Sequence, residues 1–107
     1  MTTVALGEFG PILRLGLRAV LADAGCLVLA DGATAAELAA LAAGRRIDAV
    51  LLSLDAPAGD ASALAHRNPR IRVIECSADR AVIRLREGHR ATELALTTYS
   101  LRTSIGV

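Results

Sequence analysis

A chain of 107 residues, 53% hydrophobic and 21% charged, is long enough to bury a sizeable core and short for two domains of ordinary size. One globular domain is therefore expected over residues 1–107, with no output domain beside it. Phe9 and Tyr99 are the aromatic residues of the chain, so its core must be built from Ala, Leu, Val and Ile. A net charge of +1 from twelve basic and eleven acidic residues argues against a dedicated nucleic-acid binder, which needs a clear cationic excess on one face.

All the basic residues are Arg, which removes Lys from any catalytic role. Residues 1–59 hold four Arg against six acids and residues 60–107 eight Arg against five, a net −2 and +3. That mild dipole can steer a partner without specifying one. The N-terminus lacks a cationic segment followed by an apolar one, and no apolar run approaches the ~20 residues needed to span a bilayer. A cytoplasmic location with no membrane partner is expected.

Thr2 to Leu6 reads as a short apolar strand, followed by Gly7, Glu8, Phe9 and Gly10. Pro11 suits the first turn of a helix whose inner face carries Ile12, Leu13, Leu17, Val20 and Leu21, with Arg14, Arg18 and Asp23 outside it. Gly25 ends that helix, Cys26 to Ala30 forms a second strand, and Asp31-Gly32 turns the chain. Thr34 with Glu37 has the form of a capping box opening an Ala/Leu-rich helix that ends near Gly44. Ile47 to Leu54 is a third strand, after which Pro57 and Gly59 break the chain before Asp60 opens a short helix, Ala61 to His66. Arg72 to Cys76 is a fourth strand. Alternating strands and helices with short connections predict a parallel sheet covered by helices.

The residues after Cys76 read differently. Ile83 and Leu85 alternate with Arg84 and Arg86, Glu87-Gly88-His89-Arg90 looks like a turn, and Thr92, Leu94 and Leu96 alternate again. A parallel crossover needs a dozen or more residues, so a strand starting at Ala81 would be antiparallel to its predecessor, and a β-hairpin is the preferred reading. The competing reading is a stunted helix over Arg80 to Glu87 with a strand at Thr92 to Leu96. In both, Thr97 or Thr98 caps a final short helix through about Ile105.

Two stretches carry a resemblance. IDAVLLSLDAPAGD, Ile47 to Asp60, resembles the third strand of response-regulator receiver domains, D-V-V-L-L-D-L-x-M-P-x-x-D-G, with Pro57 four residues after Ser53 where the family has its Pro after the phospho-acceptor Asp. VALGEFGPILRLGLRAVL, residues 4–21, is similar to the receiver opening V-L-I-V-D-D-H-P-L-V-R-x-G-L-R-A-L-L without a gap, and Ser77-Ala78 matches the family's Thr/Ser-Ala. The resemblance implies a flavodoxin-like α/β fold with sheet order 2-1-3-4, here with the fourth helix lost or replaced by a hairpin. In that order Cys26 and Cys76 would stand three strand spacings apart, roughly 14 Å, which makes them buried free thiols.

The resemblance also implies which chemistry is lost. Aspartyl phosphorylation needs a carboxylate nucleophile, a divalent cation held by neighbouring acids, and a cation at the transferred group. The phospho-acceptor position is Ser53, the acidic pair is Glu8-Phe9, the family's Lys has no counterpart, and of these parts the switch position Ser77 survives. One carboxylate with a hydroxyl makes a poor Mg²⁺ site, so neither metal nor cofactor is expected, and no enzymatic activity. Asp55 lies past the strand as a solvated loop acid, the weaker candidate for phosphate uptake. His66 and His89 are expected on the surface, on a helix end and a turn, away from Ser53.

Signal transduction by phosphorylation-independent protein–protein contact is the function implied, through a homodimer or a protein partner at residues 81–105. Ile83, Arg84, Leu85, Arg86, Leu94 and Tyr99 are the candidate contact residues. The alternative is small-molecule sensing in a relic pocket at the carboxyl ends of strands one, three and four, where Glu8, Phe9, Ser53, Asp55 and Ser77 should converge.

Overall fold

Two helices lie on each side of a six-stranded mixed sheet in the computed structural model, which describes residues 1–44, 47–57 and 59–107. The elements are β1 (Thr3–Gly7), α1 (Pro11–Asp23), β2 (Leu27–Ala33), α2 (Ala35–Gly44), β3 (Ala49–Ser53), α3 (Asp60–Arg67), β4 (Arg72–Ser77), β5 (Val82–Glu87), β6 (Arg90–Ala95) and α4 (Thr98–Ile105). The sheet runs β2-β1-β3-β4-β5-β6. The pairings among its first four strands are parallel, and the β4–β5 and β5–β6 pairings are antiparallel.

The central strands are apolar on both faces because helices cover both. Val4, Leu6, Ala49, Leu51, Ile74 and Cys76 point towards α1 and α4, meeting Leu17, Leu21, Leu101 and Ile105. Ala5, Val50, Leu52 and Val73 point the other way, onto Leu38 and Ala42 of α2 and Ala61, Leu64 and Ala65 of α3. The expected inner face of α1 needs one correction. Ile12 is 88% exposed, because the helix N-terminus overhangs the sheet's carboxyl edge, and only from Leu13 onward does the stripe meet the core.

The second strand also departs from expectation. Asp31-Gly32 does not turn the chain but continues β2, where the pairing with β1 slips twice, from Val4↔Val28 to Ala5↔Ala30 and then to Gly7↔Ala33. Extra residues bulge out of this edge strand, and Gly32 takes φ +77°, a conformation that suits glycine. The bulge leaves Asp31 in reach of Arg14, at 2.6 Å, and of Arg18, at 3.4 Å. The hydrogen bond from Arg14 holds the Asp31 carboxyl below the usual carboxylate range. The capping box at α2 forms as its residues predict: Thr34 N–H donates to Glu37 Oε1 at 2.8 Å, and Glu37 N–H to Thr34 Oγ1 at 3.2 Å.

Between β4 and β5 the chain has only Ala78 to Ala81, too few for a crossover helix, so β5 returns antiparallel and the hairpin reading holds. Ser77 Oγ accepts from Arg80 N–H at 3.2 Å and Ala81 takes φ +52°, which tightens this turn. Ile83 places the hairpin on the core, paired with Cys76 and fully buried. Beyond β6, Thr97 and Ser100 close a capping box that starts α4, and the helix returns to lie beside α1.

Cys26 and Cys76 are both free, but Cys26 is half-buried rather than buried, since it precedes the edge strand β2 instead of lying within it. Ser104 of α4 is buried, and its hydroxyl has no partner among the described residues. Its desolvation is uncompensated, so Ser104→Ala should raise unfolding stability by about 1 kcal/mol. An upward shift of the urea midpoint would show this, and a downward shift would mean that the hydroxyl is satisfied in solution.

Candidate functional site at the carboxyl edge

Strands β1, β3 and β4 end on the same edge, and each hands its last residues to a loop. Ser53 is the final residue of β3 and pairs with Cys76 of β4. Its side chain is folded back on its own loop: Ser53 Oγ accepts from Asp55 N–H at 3.1 Å, and Ser53 C=O accepts from Ala56 N–H at 3.1 Å. Ser77, one residue past Cys76, is buried with its Oγ engaged by the Arg80 amide. Both hydroxyls therefore cap turns.

Two clefts meet at Ser53 and Asp55. One, of about 410 Å³, lies towards α1 and is lined by Phe9, Ile12, Leu13, Ser53, Asp55, Ser77 and Asp79 among others. The other, about 480 Å³, lies towards α2 and is lined by Glu8, Thr34, Ser53, Asp55, Pro57 and Asp60 among others. The expected convergence is thus divided. Phe9, Ser53, Asp55 and Ser77 share one cleft, while Glu8 faces the other. The division follows from alternation along the chain leaving β1: Phe9 packs against the core on the α1 side, and its neighbour Glu8 is exposed.

Electrostatics separate the chemistries that this edge suits. The residues lining the α1-side cleft contribute Asp55 and Asp79 and, among those described, no cation. A phosphoryl group there would meet two carboxylates with nothing to neutralise it, whereas a hydroxylated or cationic amphiphile would find acceptors at one end and Phe9, Ile12 and Leu13 at the other. Cys76 also borders this cleft, but burial raises its thiol pKa to about 12. It is therefore a neutral thiol near pH 7, and neither nucleophile nor ligand in that form.

No group of three or more His, Cys, Asp or Glu side chains among the described residues is placed to hold a metal ion. His66 and His89 lie at the other end of α3, where their rings meet at a tilt of 51° with centroids 4.2 Å apart and join the helix to the hairpin turn. Ser53 has no imidazole base beside it. The His66–His89 contact was not legible from spacing, because it depends on the hairpin turning back towards α3. Asp79, by contrast, carries a sequence signal: it follows the end of β4 by two residues and so reaches the same edge.

The candidate contact residues of the hairpin and final helix divide by environment. Ile83 is in the core and offers no surface, and Leu85 is half-buried against it. Arg84 and Arg86 are taken up in a cross-strand ladder. Arg86 Nε donates to Glu75 at 2.8 Å, and Arg84 reaches Glu93 at 3.0 Å and Glu75 at 3.9 Å. Leu94 is 38% and Tyr99 79% exposed. All six residues of β6 are exposed: α3 packs against β4 and β5, and among the described residues no strand pairs beyond β6.

Comparison with known proteins returned nothing: no family model, curated protein or solved structure matches this chain. No helix among the described residues is long and apolar enough to cross a membrane.

Proposed function

We propose that the chain is a degenerate receiver-like domain of the flavodoxin-like class that signals by protein–protein contact without phosphorylation. The carboxyl edge carries this reading. Where aspartyl phosphotransfer needs a carboxylate, the end of β3 presents Ser53, whose oxygen is occupied by a backbone amide. Where a cation would be held by paired acids, Glu8 and Phe9 point into different clefts, so a divalent ion would have one carboxylate from that pair. The parallel order β2-β1-β3-β4 is the one that the receiver resemblance implies, and the β5–β6 hairpin stands where a receiver continues with further parallel units.

Contact then falls to the hairpin edge and the exposed Leu94 and Tyr99, with self-association or another protein chain as partner. The second reading, a small-molecule sensor, is favoured by the α1-side cleft of about 410 Å³, a volume ordinary for small-ligand sites. Its ligand would be a cationic or hydroxylated amphiphile. Acetyl phosphate with Mg²⁺ separates both from a working phosphorylation site. The intact mass should stay unchanged, and a phosphoryl adduct would overturn the proposal.

A further inference from the structure

We infer that β6 pairs with β6 of a second copy, antiparallel, about a two-fold axis passing through Thr92. This deepens the proposal that the hairpin edge is the contact surface, and rests on it. Alternate backbone groups of β6 are open at this edge. Leu96 N–H donates to Ala81 C=O at 2.8 Å, and the β5–β6 register runs from Val82↔Ala95 to Glu87↔Arg90. Hydrogen-bonded and non-bonded pairs alternate in an antiparallel ladder. Ile83↔Leu94, Leu85↔Thr92 and Glu87↔Arg90 are therefore the bonded pairs, and the amides and carbonyls of Ala91 and Glu93 point away from β5 and stay open, whereas the outward Ala95 carbonyl already accepts from Ser100 Oγ.

A two-fold axis normal to the sheet keeps each face continuous, so a residue must oppose one that shares its face. With Thr92 on the axis, Ala91 exchanges both its backbone bonds with Glu93 of the partner subunit. Thr92 meets its own copy in a closely spaced non-bonded pair, an arrangement in which threonines interact favourably. Arg90 lies across from Leu94 of the partner subunit, its aliphatic stem covering a side chain that is 38% exposed in the single chain. Sliding the register so that the axis falls at Glu93 would set that acid against its copy. Glu93 is engaged by Arg84 of its own chain, and the Thr92-centred register leaves that ion pair alone. Apart from the charges of Arg90 and Glu93, the latter paired within its own chain, β6 has no proline and no bulge, and among the described residues no further strand pairs with its outer edge.

The test uses the full chain. Light scattering of the unaltered protein should give the dimer mass, and Ala91→Pro should halve it. The Ala91 amide faces away from β5, so proline there removes the outward donor while the β5–β6 ladder keeps its bonds; an unchanged far-UV circular dichroism spectrum checks that the fold persists. Independently, in a Cys26→Ser background, Thr92→Cys should form a disulfide-linked dimer on air oxidation, because non-bonded antiparallel partners stand about 4.5 Å apart at Cα. Ala95→Cys should not, since its copy would lie about 20 Å away along the strands. A dimer mass retained by Ala91→Pro, equal cross-linking of the two cysteine variants, or a monomeric unaltered chain would each overturn the inference. None of these results introduces a phosphoryl group, so the phosphorylation-independent reading fails on a different observation, the adduct.

Discussion

Replacing Ile83 with alanine should lower the stability of the chain by about 3–4 kcal/mol, a large share of the ~5–15 kcal/mol available to a domain of this size. The hairpin is held to the parallel sheet by backbone pairing with β4 and by one completely buried side chain. Ile83 is 0% exposed, whereas its neighbours on β5 are half-buried and β6 is exposed throughout. Truncation would leave a cavity between Cys76, the partner of Ile83 across the ladder, and the α4 residues Leu101 and Ile105 of the same cluster. The site is walled by strand on one side and helix on the other, so little collapse is available and the upper part of the range is expected. Leu94→Ala, on the exposed strand, should cost a fraction of this. Urea denaturation of the two variants checks the contrast, and equal losses would mean that the hairpin is not seated on the core through Ile83.

The second large effect is on pH. Burial raises the Cys76 thiol from an ordinary value of 9.0 to about 12. A group whose folded pKa lies above its unfolded one contributes stability that is fully present below the unfolded value and is lost as pH rises through the folded one. Between pH 9 and 12 the unfolded chain releases this proton and the folded chain keeps it, so stability should fall by about 1.4 kcal/mol per pH unit across the window. Cys26, raised in the same direction chiefly by burial, adds to the slope and is best removed as Cys26→Ser before the comparison. In that background Cys76→Ala should unfold with a markedly flatter alkaline dependence, at a modest neutral-pH cost. Identical alkaline slopes with and without Cys76 would show that the thiol is not desolvated.

Much of the fold was readable because the signals were local and mutually consistent. The apolar runs at Val4–Leu6 and Ala49–Leu52 sit buried on both faces, and the capping residues Thr34 and Glu37 act where their spacing puts them. The hairpin was legible from chain length, since four residues cannot complete a parallel crossover. What escaped was set by tertiary context. Asp31-Gly32 has the composition of a turn, yet the strand continues, because a bulge on an edge strand uses the same glycine conformation as a turn. Ile12 has the spacing of a core residue but lies on a helix turn that overhangs the sheet. Glu8 and Phe9 are adjacent in sequence and were expected in one pocket; the alternating direction of side chains leaving β1 sends them to different clefts. The basic residues Arg84 and Arg86 read from sequence as contact residues for a partner, yet the strand register sets them against Glu75 and Glu93 of their own chain.

The proposed function turns on whether Ser53 and its surroundings have given up phosphoryl chemistry while the chain keeps a contact surface. Native mass spectrometry of the full chain, untreated and after incubation with acetyl phosphate and Mg²⁺, reads both in one spectrum. The account predicts a dimer whose mass is the same in the two samples. A phosphoryl adduct would contradict it, by showing that the carboxyl edge still accepts phosphate with Ser53 at the acceptor position and Phe9 in place of an acid.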